Sequence, residues 1–227
     1  MTWAIVGITS AVFVWEFRAH PQHLQDILYS FGIVPARYSH PDWALRVGFP
    51  IDSYLSLLTS VFLHAGLIHL VGNMWMFWIF GDNVEDRMGR LRFLAFYILC
   101  GTVAGLVHWL ANPHSTVPAV GASGAIAGVL GAYIVLFPRA RVQTFLLLLF
   151  WPVFFEVPAV FYILFWFVLQ LLSGTAALLG PQQAGGIAWW AHIGGFTAGV
   201  VLHRLFIKSR RQPGPQYEIS RYRRPLG

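Results

Sequence analysis

The sequence predicts an all-α membrane protein built from six transmembrane helices. Hydrophobic residues make up 57% of the 227 residues and charged residues only 11%, whereas a soluble domain carries about 25% charged residues. We therefore expect one six-helix domain over residues 1–207, followed by a basic, disordered tail over 208–227. Most of the apolar stretches approach the ~20 residues that a spanning helix needs, and they lie at 1–17, 55–80, 91–111, 121–137, 157–173 and 189–207.

Three segments need separate justification. Residues 1–17 could be a signal peptide, but they lack a basic n-region and a small-x-small cleavage site, so a first transmembrane helix is favoured. Residues 143–156 are apolar but broken by Pro152 and Pro158, which predicts an interfacial or re-entrant lead-in to helix five. The loop over 18–54 is long and rich in Trp, Tyr, Pro and His, so we expect it to be partly inserted into the membrane.

The distribution of Lys and Arg predicts the orientation. With six spans, both termini lie on one side, and of the 15 basic residues only Arg18, Arg37 and Arg46 fall on the other. The positive-inside rule then makes both termini cytoplasmic. The basic tail would serve as a topology anchor or bind anionic lipid. The loops expected to face outward are 18–54, 112–120 and 174–188, and the Gly and Gln content of the last is typical of a mobile lid.

Charge and cysteine content exclude other classes of protein. The formal net charge is +6, but the basic residues lie in loops and in the tail without interleaved aromatic residues. This pattern fits membrane topology, and no nucleic-acid partner is expected. The single cysteine, Cys100, excludes an internal disulfide.

Two polar residues begin two of the apolar stretches. Ser123 stands in the run GASG at 121–124, and His192 stands in AHIGG at 191–195. A lone serine here can serve helix packing, and residue 125 is Ala, so the nucleophile elbow of soluble hydrolases is not matched. Close packing would bring His192 within hydrogen-bond reach of Ser123, as a nucleophile and its base require. Each run leads into a small-x-x-x-small pattern that allows such packing, at Gly124 and Gly128 and at Gly195 and Gly199.

A third polar cluster lies in the second apolar stretch. His69 and Asn73 are four residues apart and therefore share a helix face. Both can donate hydrogen bonds, as an oxyanion hole requires, together with the Ser123 backbone N–H. A zinc site is disfavoured because H-E-x-x-H is absent, His64 and His69 are five residues apart, and no third ligand is evident. His64 is expected to stabilise the first loop or to line a water cavity.

Together these residues resemble the rhomboid family of intramembrane serine proteases. The pattern GxSG, from Gly121 through Ser123, looks like the family's nucleophile motif, and AHxGG around His192 looks like its general-base motif. The pattern HxxxN, from His69 to Asn73, is similar to its oxyanion pair. The pattern GxxxExxxG resembles a structural motif in which the central glutamate, here Glu85, ties the end of helix two to its neighbours.

The resemblance implies a six-helix rhomboid bundle that cleaves transmembrane segments near the outer face of the membrane. His192 would take the proton of Ser123, and His69, Asn73 and the Ser123 N–H would stabilise the oxyanion. The implied partners are transmembrane substrates and the lipid bilayer. No cofactor and no metal are expected.

Two departures from the family's pattern are visible. Trp43 and Arg46 are not adjacent, whereas the family commonly has a tryptophan-arginine pair in its first loop. Ala127 stands where some relatives have a tyrosine stacked on the histidine.

Glu156 lies in the proline-broken lead-in, and no carboxylate is an obvious third member of a triad. The sequence therefore predicts a Ser/His dyad and leaves open which residue orients His192.

Two other functions compete with proteolysis. A non-catalytic relative that binds and retains transmembrane clients would keep the fold without needing the Ser123–His192 pair. A small transporter or channel would need a continuous polar pathway, and residues 129–137 offer little polar lining. The short N-terminus without a transit peptide leads us to expect a prokaryotic plasma membrane.

Overall fold

The computed structural model describes residues 1–49, 54–148, 150–179 and 188–208. Helices dominate, and a single antiparallel pair of strands is inserted between α8 and α9 in the described part of the chain. The elements are α1 Thr2–Arg18, α2 Pro21–Phe31, α3 Pro35–Ser39, α4 Pro41–Arg46, α5 Ser56–Thr59, a 3-10 turn Ser60–Phe62, α6 Leu67–Met88, α7 Arg90–Ala111, α8 Ser123–Leu136, β1 Arg141–Leu148, β2 Trp151–Pro158, α9 Ala159–Leu179 and α10 Trp189–Phe206.

The short helix α8 forms the centre of the bundle. Every residue from Gly124 to Tyr133 is buried, and α6, α7, α9 and α10 all contact this helix. An α-helix rises 1.5 Å per residue, so 14 residues cover roughly 21 Å, less than the ~30 Å hydrocarbon core of a bilayer. A helix of this length would not reach from one surface of the hydrocarbon core to the other.

The second apolar stretch is not one continuous span, contrary to the prediction over 55–80. It divides into a short segment, Ser56–Phe62, and helix α6, which meet at an angle of 92°. The break comes at Leu63, whose backbone is extended, and continues to Gly66. A residue far away in the sequence stabilises this break, because the backbone N–H of His64 donates to the two oxygens of the Glu16 carboxylate of α1 at 3.2 and 3.3 Å.

The loop over 18–54 contains three short helices, α2 to α4, each with proline in its first turn. Proline suits this position because its fixed φ angle is helical and its missing N–H is not needed there. Arg37 is fully buried and connects α3 to the end of α2 by donating to the Tyr29 and Ser30 carbonyls. Its guanidinium also lies 4.4 Å from the centre of the Phe49 ring, and burial lowers its pKa.

Most of the segment over 143–156 belongs to two paired strands, which the all-α prediction did not include in an otherwise mostly helical fold. The interfacial or re-entrant placement of this segment stays a prediction. Strand β1 pairs antiparallel with β2, from Arg141 opposite Pro158 to Leu148 opposite Trp151. Both strands are edge strands, so alternate amides point away from the partner and proline is tolerated. Glu156 lies on β2, exposed, 3.5 Å from Arg141, and plays no part in the Ser123 region.

The predicted loop over 174–188 and the predicted tail fall in large part outside the described residues. Residues 174–179 continue helix α9 instead of beginning the predicted loop over 174–188, because Gly174 packs closely against Trp189 and Ile193 of α10. Residues 180–187, the rest of that loop, lie outside the described part of the chain. So does the predicted tail, apart from Lys208.

The described residues contain two helices that are long and apolar enough to cross a membrane, Arg90–Ala111 and Ala159–Ala176. The bent pair Ser56–Phe62 and Leu67–Met88 would provide a third span. The protein is thus a mostly helical membrane protein with apolar helices, and the count of six spans stays a prediction.

Glu85 connects α6 to the start of α1. Its carboxylate accepts hydrogen bonds from the Thr2 backbone N–H at 2.6 Å and the Thr2 hydroxyl at 2.8 Å, and the Met1 amine lies 2.5 Å away. Helix α6 then ends at Met88, and Gly89 follows with a φ of +81°, a conformation that other residues rarely adopt. The structural role that the family resemblance implies for Glu85 stays a prediction, and the contacts to Thr2 are those that a substitution would remove.

Replacing Glu85 by alanine is expected to lower the free energy of unfolding by about 1–3 kcal/mol, because the part-buried Thr2 donors would lose their acceptor. Thermal unfolding in detergent, followed by circular dichroism, measures the change. Asp86→Ala is the matched control, since Asp86 is the exposed neighbour of Glu85 and should change stability by less than about 0.5 kcal/mol. Equal stability of the two variants would contradict the structural role.

Candidate active site

Ser123 and His192 lie in direct contact. Ser123 is the first residue of α8, and His192 lies in the first turn of α10. The serine Oγ is 2.7 Å from the histidine Nε2, within the 2.6–3.2 Å expected of a nucleophile and its base. The imidazole is 7% exposed, and the serine is half-buried.

The contact depends on very close packing of α8 against α10. A methyl group added to Gly195 would collide with the Gly124 carbonyl, and one added to Gly199 would collide with the Gly128 carbonyl. Cys100 and Ala104 of α7 cover the same α8 glycines from another side. The backbone-to-backbone approach predicted from the two glycine patterns is present, and only residues without a side chain allow it.

His69 lies beside the serine. A methyl group on Gly121 would lie 2.8 Å from His69 Cε1, 3.0 Å from its Nε2 and 3.7 Å from the Ser123 Oγ. The imidazole therefore packs on the Gly121 backbone next to the hydroxyl. Gly121 has a φ of +131°, which an L residue rarely adopts, so both its conformation and its lack of a side chain are needed here.

Asn73 lies one helical turn after His69 on α6. The residue is 8% exposed, and its amide nitrogen is buried without a hydrogen-bond partner among the described residues. An unpaired buried donor is costly, by about 1–3 kcal/mol. An unpaired donor of this kind is typical of an oxyanion hole, in which the substrate supplies the acceptor.

His64 was expected to stabilise the first loop or to line a water cavity, and that role stays a prediction. It is 1% exposed at the break before α6, and its ring meets the His69 ring edge to face at 5.1 Å. Its backbone N–H donates to Glu16, a buried carboxylate of α1. Within the described ranges, no group of three or more His, Cys, Asp and Glu side chains could hold a metal ion.

Gln170 of α9 contacts the other imidazole nitrogen and was not identified from the sequence. Its Oε1 lies 2.7 Å from His192 Nδ1, and its Nε2 donates to the Trp166 carbonyl at 3.2 Å. The rings of Trp166 and Trp189 flank the imidazole at 5.5 and 6.4 Å. The available signal was an amide inside an apolar helix, which marks a polar contact but does not identify its partner.

The fold and the site define a helical membrane protein in which a short central helix presents a serine to a histidine. The chain belongs to the rhomboid family, since the model of the Rhomboid domain matches residues 52–209. That range contains Ser123, His192, His69 and Asn73, and this family acts on transmembrane substrates in membranes.

The relatives include mitochondrial and bacterial proteins. The chain is 29% identical over 168 residues to the presenilin-associated rhomboid-like protein, mitochondrial, of Mus musculus, covering 68% of the chain and 40% of the relative. It is 28% identical over 208 residues to the rhomboid protein 1, mitochondrial, of Saccharomyces cerevisiae, covering 88% and 51%. It is 41% identical over 76 residues to the rhomboid protease GluP of Bacillus subtilis, covering 34% and 14%.

The chain thus spans about half the length of these relatives or less. Two of the three are mitochondrial by name, which does not fit the prokaryotic plasma membrane expected from the sequence.

Proposed function

We propose that the protein is an intramembrane serine endopeptidase that cleaves transmembrane segments, with Ser123 as nucleophile and His192 as general base. The observation that carries the proposal is the 2.7 Å contact between Ser123 Oγ and His192 Nε2. A hydroxyl attacks a peptide carbonyl only when a base removes its proton, and this base is already at the required distance. The name of one relative, the rhomboid protease GluP, is consistent with the same activity.

The reaction would proceed in two steps. Ser123 Oγ attacks the scissile carbonyl as His192 Nε2 takes its proton, and the imidazolium then gives that proton to the leaving amine. Water, activated by the same nitrogen, hydrolyses the acyl-enzyme. The developing oxyanion would be stabilised by His69, Asn73 and the Ser123 N–H, which is among the free amides at the start of α8.

The short length of α8 supports a reaction within the membrane near one of its two faces. With a length of roughly 21 Å in a hydrocarbon core of about 30 Å, α8 could begin about 10 Å below one surface if its other end reached the opposite surface. Ser123 would then meet a substrate segment close to the end of its span. A helix shields its own peptide bonds, so the substrate must unwind there before cleavage.

The basic end of the bundle supports a topology with both ends of the domain on the cytoplasmic side. The end of α6 and the end of α10 meet, since the Lys208 backbone N–H donates to the Arg87 carbonyl at 3.0 Å and Arg92 donates to the Ile207 carbonyl at 3.2 Å. Thr2 joins the same end through Glu85. By the positive-inside rule this end is cytoplasmic, and α8 would then present Ser123 toward the outer face.

A two-part experiment tests the proposal. Purified protein in proteoliposomes is mixed with a transmembrane substrate that carries a helix-breaking segment near its outer end, and products are followed by mass spectrometry. In parallel, a fluorophosphonate is added to folded protein, and the labelled peptide is sequenced. We expect cleavage within the broken segment and one label on Ser123, lost when the protein is unfolded before labelling.

The opposite result would favour the non-catalytic alternative. A folded protein that neither cleaves nor labels, yet retains intact transmembrane clients through purification, would refute the endopeptidase. Labelling at another serine would refute the assignment of Ser123.

Replacing Asn73 by leucine is expected to lower kcat by about 10²–10³-fold with little change in KM, because the amide would bind the oxyanion and not the ground state. Initial rates at varied substrate concentration measure both constants. Val71→Ala is the matched control, since Val71 is an exposed residue of the same helix. A loss confined to KM would show that Asn73 binds substrate instead.

A further inference from the structure

Gln170 of α9 contacts the imidazole of His192, and none of the sequence motifs contains this glutamine. Gln170 is 5% exposed, and His192 is 7% exposed. The two side chains meet at 2.7 Å between Oε1 and Nδ1. This buried contact therefore affects the orientation of the His192 ring during the reaction.

The hydrogen bonds around Gln170 determine which imidazole nitrogen carries the proton. The amide Nε2 donates to the Trp166 carbonyl, four residues earlier on the same helix. Its oxygen must therefore face His192, and an oxygen accepts only from a protonated Nδ1. With the proton on Nδ1, Nε2 keeps its lone pair and can accept the hydrogen of Ser123. This is the tautomer that a general base needs.

An amide suits this position better than a carboxylate. Burying an unpaired charge in a membrane protein is costly, whereas a neutral amide orients the ring by a dipole alone. Removing this acceptor would leave the Nδ1 hydrogen without a partner and allow the ring to take the opposite tautomer. In the serine-protease template, the wrong tautomer alone is sufficient to abolish most of the activity.

The position of Gln170 depends on the packing of α9. Phe167, one turn earlier, stacks on Phe196 of α10 with ring centres 4.2 Å apart. Gly174, one turn later, lies against Trp189 and Ile193 of α10. The amide is thus held between two contacts to the helix that carries His192.

We propose that Gln170 is a positioning residue for the dyad, which fixes the reactive tautomer of His192 only while α9 is packed against α10. The inference rests on the proposed function, because it assigns a role within the same reaction. It implies that the dyad is weakened whenever α9 moves away. Helix α9 would then control the chemistry through this contact.

The test compares Gln170→Met, which removes the acceptor at similar size, with Gln170→Glu, which keeps an oxygen in its place. We expect the rate of Ser123 labelling by a small fluorophosphonate to fall about 10–100-fold in Gln170→Met, the effect of one lost buried hydrogen bond, and to recover in part in Gln170→Glu. Thr175→Ala is the control on the same helix, since the Thr175 hydroxyl donates to the Leu171 carbonyl of α9 and to no other group in the described part of the chain.

A spectroscopic measurement makes the test independent of activity. In protein labelled with ¹⁵N-histidine, the signals of His192 are identified among the nine histidines by their loss in His192→Ala. We expect Nδ1 to be protonated in the wild type and the proton to move wholly or partly to Nε2 in Gln170→Met. If the wild type neither labels nor cleaves, the endopeptidase fails, while this readout still tests the positioning.

Three results would overturn the inference. One is an unchanged tautomer of His192 in Gln170→Met. Another is unchanged labelling by the small reagent while cleavage of a transmembrane substrate falls, which would assign Gln170 to substrate entry. The third is an equal loss in Thr175→Ala, which would reflect general damage to α9.

Discussion

Alanine at Ser123 or at His192 is expected to lower kcat by about 10⁴–10⁶-fold, the loss seen when serine proteases lose nucleophile or base. Each variant should keep its fold, because both substitutions remove atoms and neither adds volume to the tight interface between α8 and α10. The double variant should be no worse than either single one, since the two groups act as a unit. Cleavage of a reconstituted transmembrane substrate, with circular dichroism for folding, measures these effects.

Thr197→Ala is the matched control for the dyad. Thr197 is exposed on α10, and among the described residues its hydroxyl donates only to the Ile193 carbonyl of the same helix, so activity should be unchanged. Undiminished cleavage in either Ser123→Ala or His192→Ala would exclude the dyad. Strictly additive losses in the double variant would mean that the two groups do not cooperate in one step.

The parts of the site that could be predicted are those written as local patterns. Each of two helices has a face without side chains, at Gly124 and Gly128 and at Gly195 and Gly199. Two such faces favour close packing of one helix backbone on the other. Placing one polar residue at the start of each face predicts their meeting. His69 and Asn73 share a face by spacing alone.

Gln170 could not be predicted because no local spacing relates it to His192. The sequence shows an amide in an apolar helix, but its partner depends on how α9 packs against α10. That packing includes the stacked rings of Phe167 and Phe196. The break at His64 is similar, because its backbone is stabilised by Glu16, 48 residues earlier. Long-range contacts of this kind depend on the assembled bundle.

The hairpin was not predicted, for a different reason. A short, uniformly apolar run has no alternation, so periodicity cannot separate a strand from a buried or interfacial helix. The segments β1 and β2 are rich in Leu, Phe and Val, and the prolines were taken to indicate an interfacial or re-entrant segment. Two edge strands tolerate proline equally well, and the aromatic content of the run was the better guide.

Replacing Gly199 by alanine is expected to lower the free energy of unfolding by about 3 kcal/mol, the upper range for overpacked cores. The added methyl would overlap the Gly128 carbonyl oxygen. A backbone atom cannot rotate aside as a side chain can, so α10 must move away from α8. Thermal or denaturant unfolding in detergent measures the loss.

Gly72→Ala separates this packing effect from helix propensity. Gly72 also lies within a helix, but a methyl group there would meet nothing within 4 Å, so stability should stay equal or rise by up to about 1 kcal/mol. Similar stabilities for the two variants would mean that α8 and α10 can separate without cost. If instead Gly199→Ala is destabilised and also loses activity while folded, the close approach of the two helices is what holds Ser123 against His192, because a shift of about 1 Å can cost 10²-fold in rate.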